Sequence, residues 1–276
     1  MTHTTDFRPI AFIGAGNMTR SIIAGLVTSG YPSQQICATN PSPAKLNALA
    51  AQYQVQISAD NLASAEAAEV IVLAVKPQLM ATVCAQLATL DLSQKLLISI
   101  AAGITAERLQ QLLGQPVTLV RTMPNTPSML GLGLTGLYAA PQVTPDDRAF
   151  AGRLMAAVGE ILWVDDESQI NAVIACAGSA PAYFFLFMEA MQQAACDMGV
   201  RPEEARLMIQ QAAIGAAQMV KANSELSLAE LGAQVTSKGG TTYAALQTFE
   251  QHHLRRTVHD AMQAAVARAE QMATEF

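Results

Sequence analysis

A glycine-rich turn near the start of the chain has the residues that a phosphate-binding turn needs. Residues 13–19 (IGAGNMT) follow a short apolar run and open a helical pattern. Gly14 can make the tight turn, and Gly16 lets a pyrophosphate approach the backbone because it has no side chain. Free N–H groups and the dipole of the following helix would then hold the anion. The pattern favours dinucleotide binding over a purely structural turn. The residues of this candidate cofactor site are Gly14, Ala15, Gly16, Asn17, Met18 and Thr19.

The end of the second predicted strand indicates which dinucleotide binds. A carboxylate there would hydrogen-bond a ribose 2′-hydroxyl and repel a 2′-phosphate. Residues 39–45 contain no acid, and they offer Asn40 and Ser42 as hydrogen-bond donors, with Lys45 close by. The sequence therefore favours NADPH over NADH as the cofactor. The structural alternative is that these residues only cap a helix.

Three further loops follow predicted strands, at the edge where open α/β sheets bind ligands. Lys76 and Pro77 end one strand, and Ala101, Ala102 and Gly103 end the next with small residues that suit a flat nicotinamide ring. Residues 123–127 (MPNTP) follow the strand after that. Each loop alone could be ordinary, but together they line one rim.

A second glycine-rich turn lies far along the chain, at residues 236–242 (TSKGGTT), and also opens a helical pattern. Bare N–H groups, hydroxyl caps and a positive helix end are again suited to an anion. The predicted ligand of this turn is a small carboxylate. An exposed loop with a threonine cap fits the pattern equally well.

Several kinds of chemistry have no support in the sequence. None of the four histidines stands with Asp or Cys at metal-ligand spacing, so no metal site is predicted. The chain also has no G-x-S-x-G elbow and no Walker sequence, which argues against ordinary hydrolase or NTPase chemistry.

The elements that must position these turns change character near residue 165. Before it, short apolar runs alternate with helical patterns, which predicts a doubly wound parallel sheet in an α/β fold. The predicted strands are 9–13, 35–39, 70–75, 95–100, 117–121, 136–140 and 160–164. The helices predicted between them are 17–29, 43–53, one from about residue 78, 105–113 and 144–158.

The remainder of the chain has no convincing strand. Helices are predicted at 167–176, 180–198, 202–222, 227–234, 242–250 and 253–273. Alanines spaced three or four apart, as at residues 261, 264, 265 and 269, would let helices approach closely, and so much apolar surface without a sheet predicts contact with another subunit. The predicted domains are therefore 1–165, which binds the dinucleotide, and 166–276, which is helical.

Composition excludes several classes of protein. The 276 residues are 51% apolar and 14% charged, with a formal net charge of −6. A disordered chain needs low hydrophobicity and a high net charge, which is the opposite composition. An acidic chain also lacks the basic surface that nucleic acid or anionic lipid would require. The four cysteines, far apart and without a C-x-x-C pair, are interpreted as small buried hydrophobes in a reducing compartment.

One apolar segment raises the question of a membrane. Residues 168–188 contain no charged side chain over 21 positions, which is long enough to cross a bilayer. Because residues 178–181 (GSAP) interrupt the segment, we predict two helices joined near Gly178 and buried in a soluble core. No apolar signal run precedes the first strand, so a cytoplasmic location is expected.

Six segments, in order along nearly the whole chain, resemble the pyrroline-5-carboxylate reductase family. They are GAGNM at 14–18, LAVKPQ at 73–78, AAG at 101–103, RTMPNTP at 121–127, GSAPAY at 178–183 and SKGGTT at 237–242. The first is generic, whereas the last three are specific. The resemblance implies NAD(P)H-dependent reduction of 1-pyrroline-5-carboxylate to L-proline, the last step of proline biosynthesis. It also implies an N-terminal Rossmann domain and a C-terminal helical domain that forms a homodimer, often assembled into a ring of dimers.

The resemblance also implies residue roles. Residues 39–42 correspond to the segment that contacts the adenosine ribose or its phosphate, and Thr242 corresponds to a threonine near the imine nitrogen. Further cofactor contacts correspond to Asn61, Ala74, Val75, Lys76 and Pro77. The substrate contacts correspond to Glu225, Ser237, Gly239, Gly240, Thr241 and Thr242.

Three positions depart from the family pattern. Ala180 stands where the family usually has glycine, so this turn must avoid a strongly positive φ. Lys238 stands where proline is frequent, and adds a cation beside the expected carboxylate site. Thr19 replaces a usual alanine or glycine. None of them removes a group that the chemistry requires.

The expected mechanism needs little acid catalysis. A protonated iminium accepts hydride well, and orienting two reactants removes much of the barrier. Thr242 is expected to hydrogen-bond the nitrogen in a contributing role. The alternatives are a non-catalytic NADP-binding regulator, another imine or β-hydroxyacid reductase of the same two-domain plan, and a purely structural helical protein. The β-hydroxyacid dehydrogenases use a lysine in a G-x-x-x-N-x-x-K setting that this chain lacks.

Overall fold

A computed structural model describes residues 7–275 of the chain. Its first part is built on one sheet of eight strands. The strands are β1 (Ile10–Ile13), β2 (Ile36–Thr39), β3 (Gln56–Ser58), β4 (Val70–Leu73), β5 (Leu96–Ser99), β6 (Thr118–Met123), β7 (Gly133–Ala139) and β8 (Gly159–Trp163). Strands β1, β4 and β5 are buried along their whole length, as expected for strands with both faces covered.

The strand order is β3-β2-β1-β4-β5-β6-β7-β8. The strands from β1 to β6 are parallel, which confirms the doubly wound arrangement predicted for this part. The prediction of a wholly parallel sheet was wrong at one edge, because β7 pairs with β6 in the antiparallel direction and β8 runs parallel to β7. Residues 124–132 join β6 to β7 through a short 3₁₀ turn, Thr126–Leu130. This connection is shorter than the dozen or more residues of a parallel crossover.

Helices cover both faces of the sheet. They are α1 (Asn17–Thr28), α2 (Pro43–Tyr53), α3 (Asn61–Ala67), α4 (Pro77–Leu87), α5 (Ala106–Leu113), α6 (Pro145–Ala156) and the short α7 (Gln169–Val173). Alternate residues of the strands enter two cores. Phe12 and Ile98 pack with Ile22 of α1, whereas Ile71 packs with Met80 of α4.

Most of the remaining helices form a second unit. Contacts divide the chain into residues 180–264 and the rest, so the last turns of the final helix belong to the first unit. The helices are α8 (Ala180–Asp197), α9 (Pro202–Ala222), α10 (Leu228–Gln234), α11 (Thr241–Gln251) and α12 (Leu254–Glu275). No strand follows Trp163 in the described residues, as predicted. The domain boundary between residues 165 and 166 stays a prediction.

The uncharged segment agrees with its prediction in one respect and differs in another. Its helical residues 169–178 and α8 from Ala180 meet at Ser179, which confirms two helices joined near Gly178. Taken together, Gln169–Asp197 spans 29 residues, and its most apolar window has a mean hydropathy of 1.6 but is only 22% buried. By length and composition this stretch is long and apolar enough to cross a membrane. One such stretch in a chain is weak evidence for a membrane span. The prediction of burial was wrong because large side chains such as Phe184 (65% exposed) and Leu186 (67% exposed) lie on the surface of this chain.

The cysteine interpretation was also only partly correct. All four thiols are free, but Cys84 alone is buried, whereas Cys37 and Cys196 are half-buried and Cys176 is exposed. Burial raises the pKa of the Cys84 thiol to about 11.

Candidate active site

The β1–α1 turn has the geometry of a phosphate-binding turn. Gly14 has a φ of +114°, and a Cβ added there would lie 2.5 Å from the carbonyl oxygen of Ala74. Its N–H donates to Thr39 O at 3.0 Å. Only glycine fits this position, because both the backbone conformation and the close approach exclude a side chain.

The N-terminus of α1 is open to an anion. Gly16 is the N-cap, no side chain caps the helix, and its first turn contains no acid. A Cβ added at Gly16 would meet nothing within 4 Å. The helix start therefore has both the free N–H groups and the space that a pyrophosphate requires.

Thr19, which departs from the family pattern, supports this turn from within. Its side chain is buried, and its hydroxyl donates to Gly14 O at 2.7 Å. The third position of the glycine motif thus stabilises the turn with a hydrogen bond. Its assignment as a cofactor contact stays a prediction.

The sheet brings the predicted rim segments together. Ala74 N–H donates to Ile13 O at 2.9 Å, and Ile100 N–H donates to Leu73 O at 3.1 Å. The loops that contain Ala74, Val75, Lys76 and Pro77, and then Ala101, Ala102 and Gly103, consequently leave neighbouring strands side by side. Lys76 is exposed at the N-cap of α4, where its side chain makes no capping bond.

Gly103 lies against the end of the chain. Its φ is +75°, and a Cβ added there would come within 2.6 Å of Met272 Cβ. The last turns of α12 therefore pack on the loop that is predicted to face the nicotinamide, and this contact was not predicted.

The loop after β2 presents donors and no acid. Asn40 Oδ1 accepts a hydrogen bond from Ser42 N–H at 2.8 Å, so its amide NH₂ group is the part left to donate. Ser42 is the N-cap of α2 but its hydroxyl makes no capping bond. Lys45 is exposed one turn later. The donor set suits a 2′-phosphate better than a ribose diol.

Asn61 reaches this rim through an element that the sequence analysis did not assign. It begins α3, whose N-cap Asp60 accepts hydrogen bonds from Leu62 N–H and Ala63 N–H. The Thr39 hydroxyl at the end of β2 donates to Asn61 Oδ1 at 2.6 Å. The aspartate before an alanine-rich run was a usable N-cap signal.

In the second unit, the turn at residues 237–242 repeats the open helix start. Gly240 is the N-cap of α11, without a side-chain cap and without an acid in the first turn. Gly239 has a φ of +72°, and Gly240 N–H donates to Ser237 O at 3.0 Å. Within residues 7–275 the Thr242 hydroxyl makes no hydrogen bond, so it is available to a ligand.

Two other predicted positions lie nearby in sequence. Glu225 is exposed in the turn between α9 and α10, and Lys238 is exposed within the glycine turn. No hydrogen bond or ion pair in the described part of the chain joins Glu225 to residues 237–242. Its substrate role stays a prediction.

An ion pair between a buried arginine and a half-buried glutamate was missed by the sequence analysis. Arg121, 3% exposed, donates to Glu167 Oε1 at 2.9 Å, and the same oxygen accepts from Ala106 N–H at 2.7 Å. Through these two hydrogen bonds Glu167 joins β6 to the start of α5. The same carboxylate also affects Tyr138, the cross-strand neighbour of Arg121: burial raises the pKa of Tyr138, and the charges of Glu167 and Asp166 raise it further.

Together, the doubly wound sheet, the open β1–α1 turn and the helical second part define a dinucleotide-dependent oxidoreductase of Rossmann type.

Residues 9–103 match the family model described as NADP oxidoreductase coenzyme F420-dependent. Residues 167–272 match the model of pyrroline-5-carboxylate reductase dimerisation. The chain is 56% identical to the pyrroline-5-carboxylate reductase of Vibrio alginolyticus, over 98% of this chain and 100% of that one. It is 49% identical to that of Haemophilus influenzae, over 97% and 98% of the two chains. The chain belongs to the pyrroline-5-carboxylate reductase family.

Solved structures agree with this assignment. A pyrroline-5-carboxylate reductase from Coxiella burnetii is 42% identical and superposes with a TM-score of 0.91, over 97% of this chain and 99% of that chain. The Plasmodium falciparum enzyme, solved with NADP bound, is 26% identical with a TM-score of 0.86, over 96% and 98%. A reductive aminase from Aspergillus terreus, 16% identical with a TM-score of 0.58 over 97% and 94%, shares the fold alone.

Proposed function

We propose that this protein reduces 1-pyrroline-5-carboxylate to L-proline with NADPH, the last step of proline biosynthesis. The observation that carries the proposal is the pair of open helix starts, α1 at Gly16 and α11 at Gly240, each on a glycine turn with no acid in its first turn. One suits a pyrophosphate and the other a small carboxylate. The division of labour that we propose is dinucleotide binding by residues 1–165, and substrate binding and dimerisation by residues 166–276.

The residues of the first unit hold the nucleotide. The N–H groups at residues 16–19 bind the pyrophosphate, and Asn40, Ser42 and Lys45 bind the 2′-phosphate. The loops at 74–77 and 101–103 border the nicotinamide with small side chains. NADPH supplies the hydride when bound.

The residues of the second unit hold the acid. Backbone amides of 237–242 bind the carboxylate, and Glu225 lies at the edge of the substrate site. The Thr242 hydroxyl accepts a hydrogen bond from the N–H of the protonated ring nitrogen and keeps the iminium in one orientation. Because an iminium needs no strong general acid to accept hydride, orientation supplies most of the rate.

The exposed apolar face of the second unit indicates its partner. Phe184, Phe185 and Leu186 of α8 are too exposed for a monomer in water, and the segment lies inside the region matched by the dimerisation model. We infer that a second copy of the chain covers this face in a homodimer. Further assembly into a ring of dimers, a cytoplasmic location, and the absence of membrane and nucleic-acid partners belong to the same proposal.

The test is oxidation of the cofactor at 340 nm with 1-pyrroline-5-carboxylate and either NADPH or NADH. Proline formation with a preference for NADPH is expected. NADPH binding without turnover would instead indicate a regulator. Asn40→Asp should lower NADPH affinity and shift the preference toward NADH, because the new carboxylate repels the 2′-phosphate. An unchanged ratio would contradict the assignment of Asn40.

A further inference from the structure

Helix α8, the first helix of the second unit, contains a proline, Pro181, at its second position. Pro181 has no N–H, so the carbonyl of Ala177, four residues earlier, cannot receive the α-helical hydrogen bond from that position. Before α8 the chain widens into a π turn over Ile174–Gly178, with Ser179 N–H donating to Ile174 O at 2.8 Å. Turns of this kind are frequent at functional sites.

Asn125 supplies a donor to that carbonyl from a distant part of the chain. Its Nδ2 donates to Ala177 O at 3.0 Å, and its Oδ1 accepts from Leu134 N–H at 3.0 Å. The residue is only 8% exposed. Because one partner is an acceptor and the other a donor, both halves of the amide are required, and the side chain has one orientation.

Asn125 also belongs to the rim of the nucleotide site. It follows β6 in the loop 123–127, and β6 is tied to the end of β5 by the Thr122 hydroxyl, which donates to Ser99 O at 3.1 Å. Residues 101–103 continue directly from that end. The amide therefore joins the loop after β6 to the π turn.

We propose that Asn125 is a positioning residue for the reduction: it provides the hydrogen bond that Pro181 withholds from Ala177, and so fixes the π turn against the loop 123–127 of the predicted nucleotide rim. The inference rests on the proposed function, since its effect is measured on the rate of the reduction. It extends that function by assigning a role to a residue whose amide is used by Ala177 and Leu134 of the chain itself.

The test is a double-mutant cycle in the full-length protein. Asn125→Asp keeps the acceptor for Leu134 N–H but loses the donor to Ala177 O at pH 8. Pro181→Ala restores an N–H that can donate to the same carbonyl. In the wild-type background Asn125→Asp should lower kcat about 10-fold, because misplacing reacting groups is costly, while the Kd for NADPH changes less than about twofold. In the Pro181→Ala background the same substitution should lower kcat by less than about twofold, since the interaction is no longer needed.

Asn47→Asp is the matched control, because Asn47 is exposed on α2 and the same charge there should leave kcat unchanged. If Asn125→Asp does not fold, the double variant must fold, since it regains the missing donor. Equal losses in both backgrounds, or an unchanged kcat for Asn125→Asp, would overturn the role of Asn125 while the wild-type activity stands. An inactive wild type would instead overturn the proposed function.

Discussion

The Thr39 hydroxyl, fully buried at the end of β2, donates to Oδ1 of Asn61 at 2.6 Å. The Asn61 amide also donates from Nδ2 to Gln86 Oε1 at 3.2 Å, so two contacts set its orientation. At the strand end where NAD-binding folds often carry an acid, this chain has a neutral hydroxyl that orients a neighbouring amide. The amide is thus held beside the end of β2 and adds no charge that would repel a 2′-phosphate.

Thr39→Val tests this relationship, since valine has the same shape but no hydroxyl. The half-buried Asn61 amide loses the donor to its oxygen, which should lower the free energy of unfolding by about 1 kcal/mol. NADPH affinity should fall several-fold as the amide becomes free to rotate, whereas KM for the imine should not change. Fluorescence titration with NADPH and urea unfolding measure the two effects. Thr39→Ser keeps the hydroxyl and should retain most of the affinity; equal losses in both variants would show that the methyl group matters instead.

The Arg121–Glu167 pair gives a prediction about stability. Glu167→Ala leaves a guanidinium that is 3% exposed without its counter-charge and removes the acceptor of Ala106 N–H. Losing one partner of a buried pair is costly, and partial exposure of Glu167 reduces the cost, so we expect a loss of about 2–3 kcal/mol in urea unfolding. Glu275→Ala, which breaks the exposed pair with Arg268, is the control and should cost less than about 1 kcal/mol. Similar losses for the two variants would refute the special role of Glu167.

Local sequence patterns were sufficient for most of the framework. Apolar runs and helical periodicity predicted β1, β2, β4 and β5, and glycines before helical patterns predicted both open helix starts. Ala180 begins α8, and the described residues with a positive φ do not include it. This confirms the prediction that the Cβ of Ala180 excludes a strongly positive φ at this turn. These features depend on neighbours within a few residues, and such neighbours can be read directly from the chain.

The features that were missed depend on contacts between distant residues. Asn125 and Ala177 are 52 positions apart, and Arg121 and Glu167 are 46 apart. No local pattern distinguishes an asparagine that satisfies a remote carbonyl from one that caps a turn. The reversal of β7 was missed for a different reason, because the apolar pattern of a strand does not encode its direction. The exposed face of α8 was mistaken for core because its sequence resembles a buried helix.

Cys84 gives a prediction about alkaline pH. Its thiol pKa is raised from 9.0 to about 11 by burial, so between these values the unfolded chain releases a proton that the folded chain keeps. Stability from this group is complete below pH 9 and falls as pH rises, by at most about 1.4 kcal/mol per pH unit. Cys84→Ala should lower stability at pH 8 because it leaves a cavity, but flatten its decline between pH 9 and 11. Urea unfolding at several pH values measures both. The exposed Cys176→Ala should leave the slope unchanged, and a slope unaltered by Cys84→Ala would contradict the assignment.

Thr242 is the residue of the second unit that we propose contacts the reacting nitrogen. It lies at the start of α11 behind the open N-cap Gly240, and its hydroxyl is not used by the described chain. If the hydroxyl holds the imine nitrogen during hydride transfer, Thr242→Ala should lower kcat about 10-fold or more, because one oriented hydrogen bond at a reacting atom contributes about 1–3 kcal/mol. Thr242→Ser should restore most of kcat, whereas Thr242→Val should resemble alanine. The Kd for NADPH should be the same in all three, since the residues that we propose bind the nucleotide belong to the other unit. Steady-state rates at 340 nm with saturating NADPH separate kcat from KM. A rise in KM alone would mean that Thr242 only binds the acid, and full activity of Thr242→Ala would remove it from the mechanism.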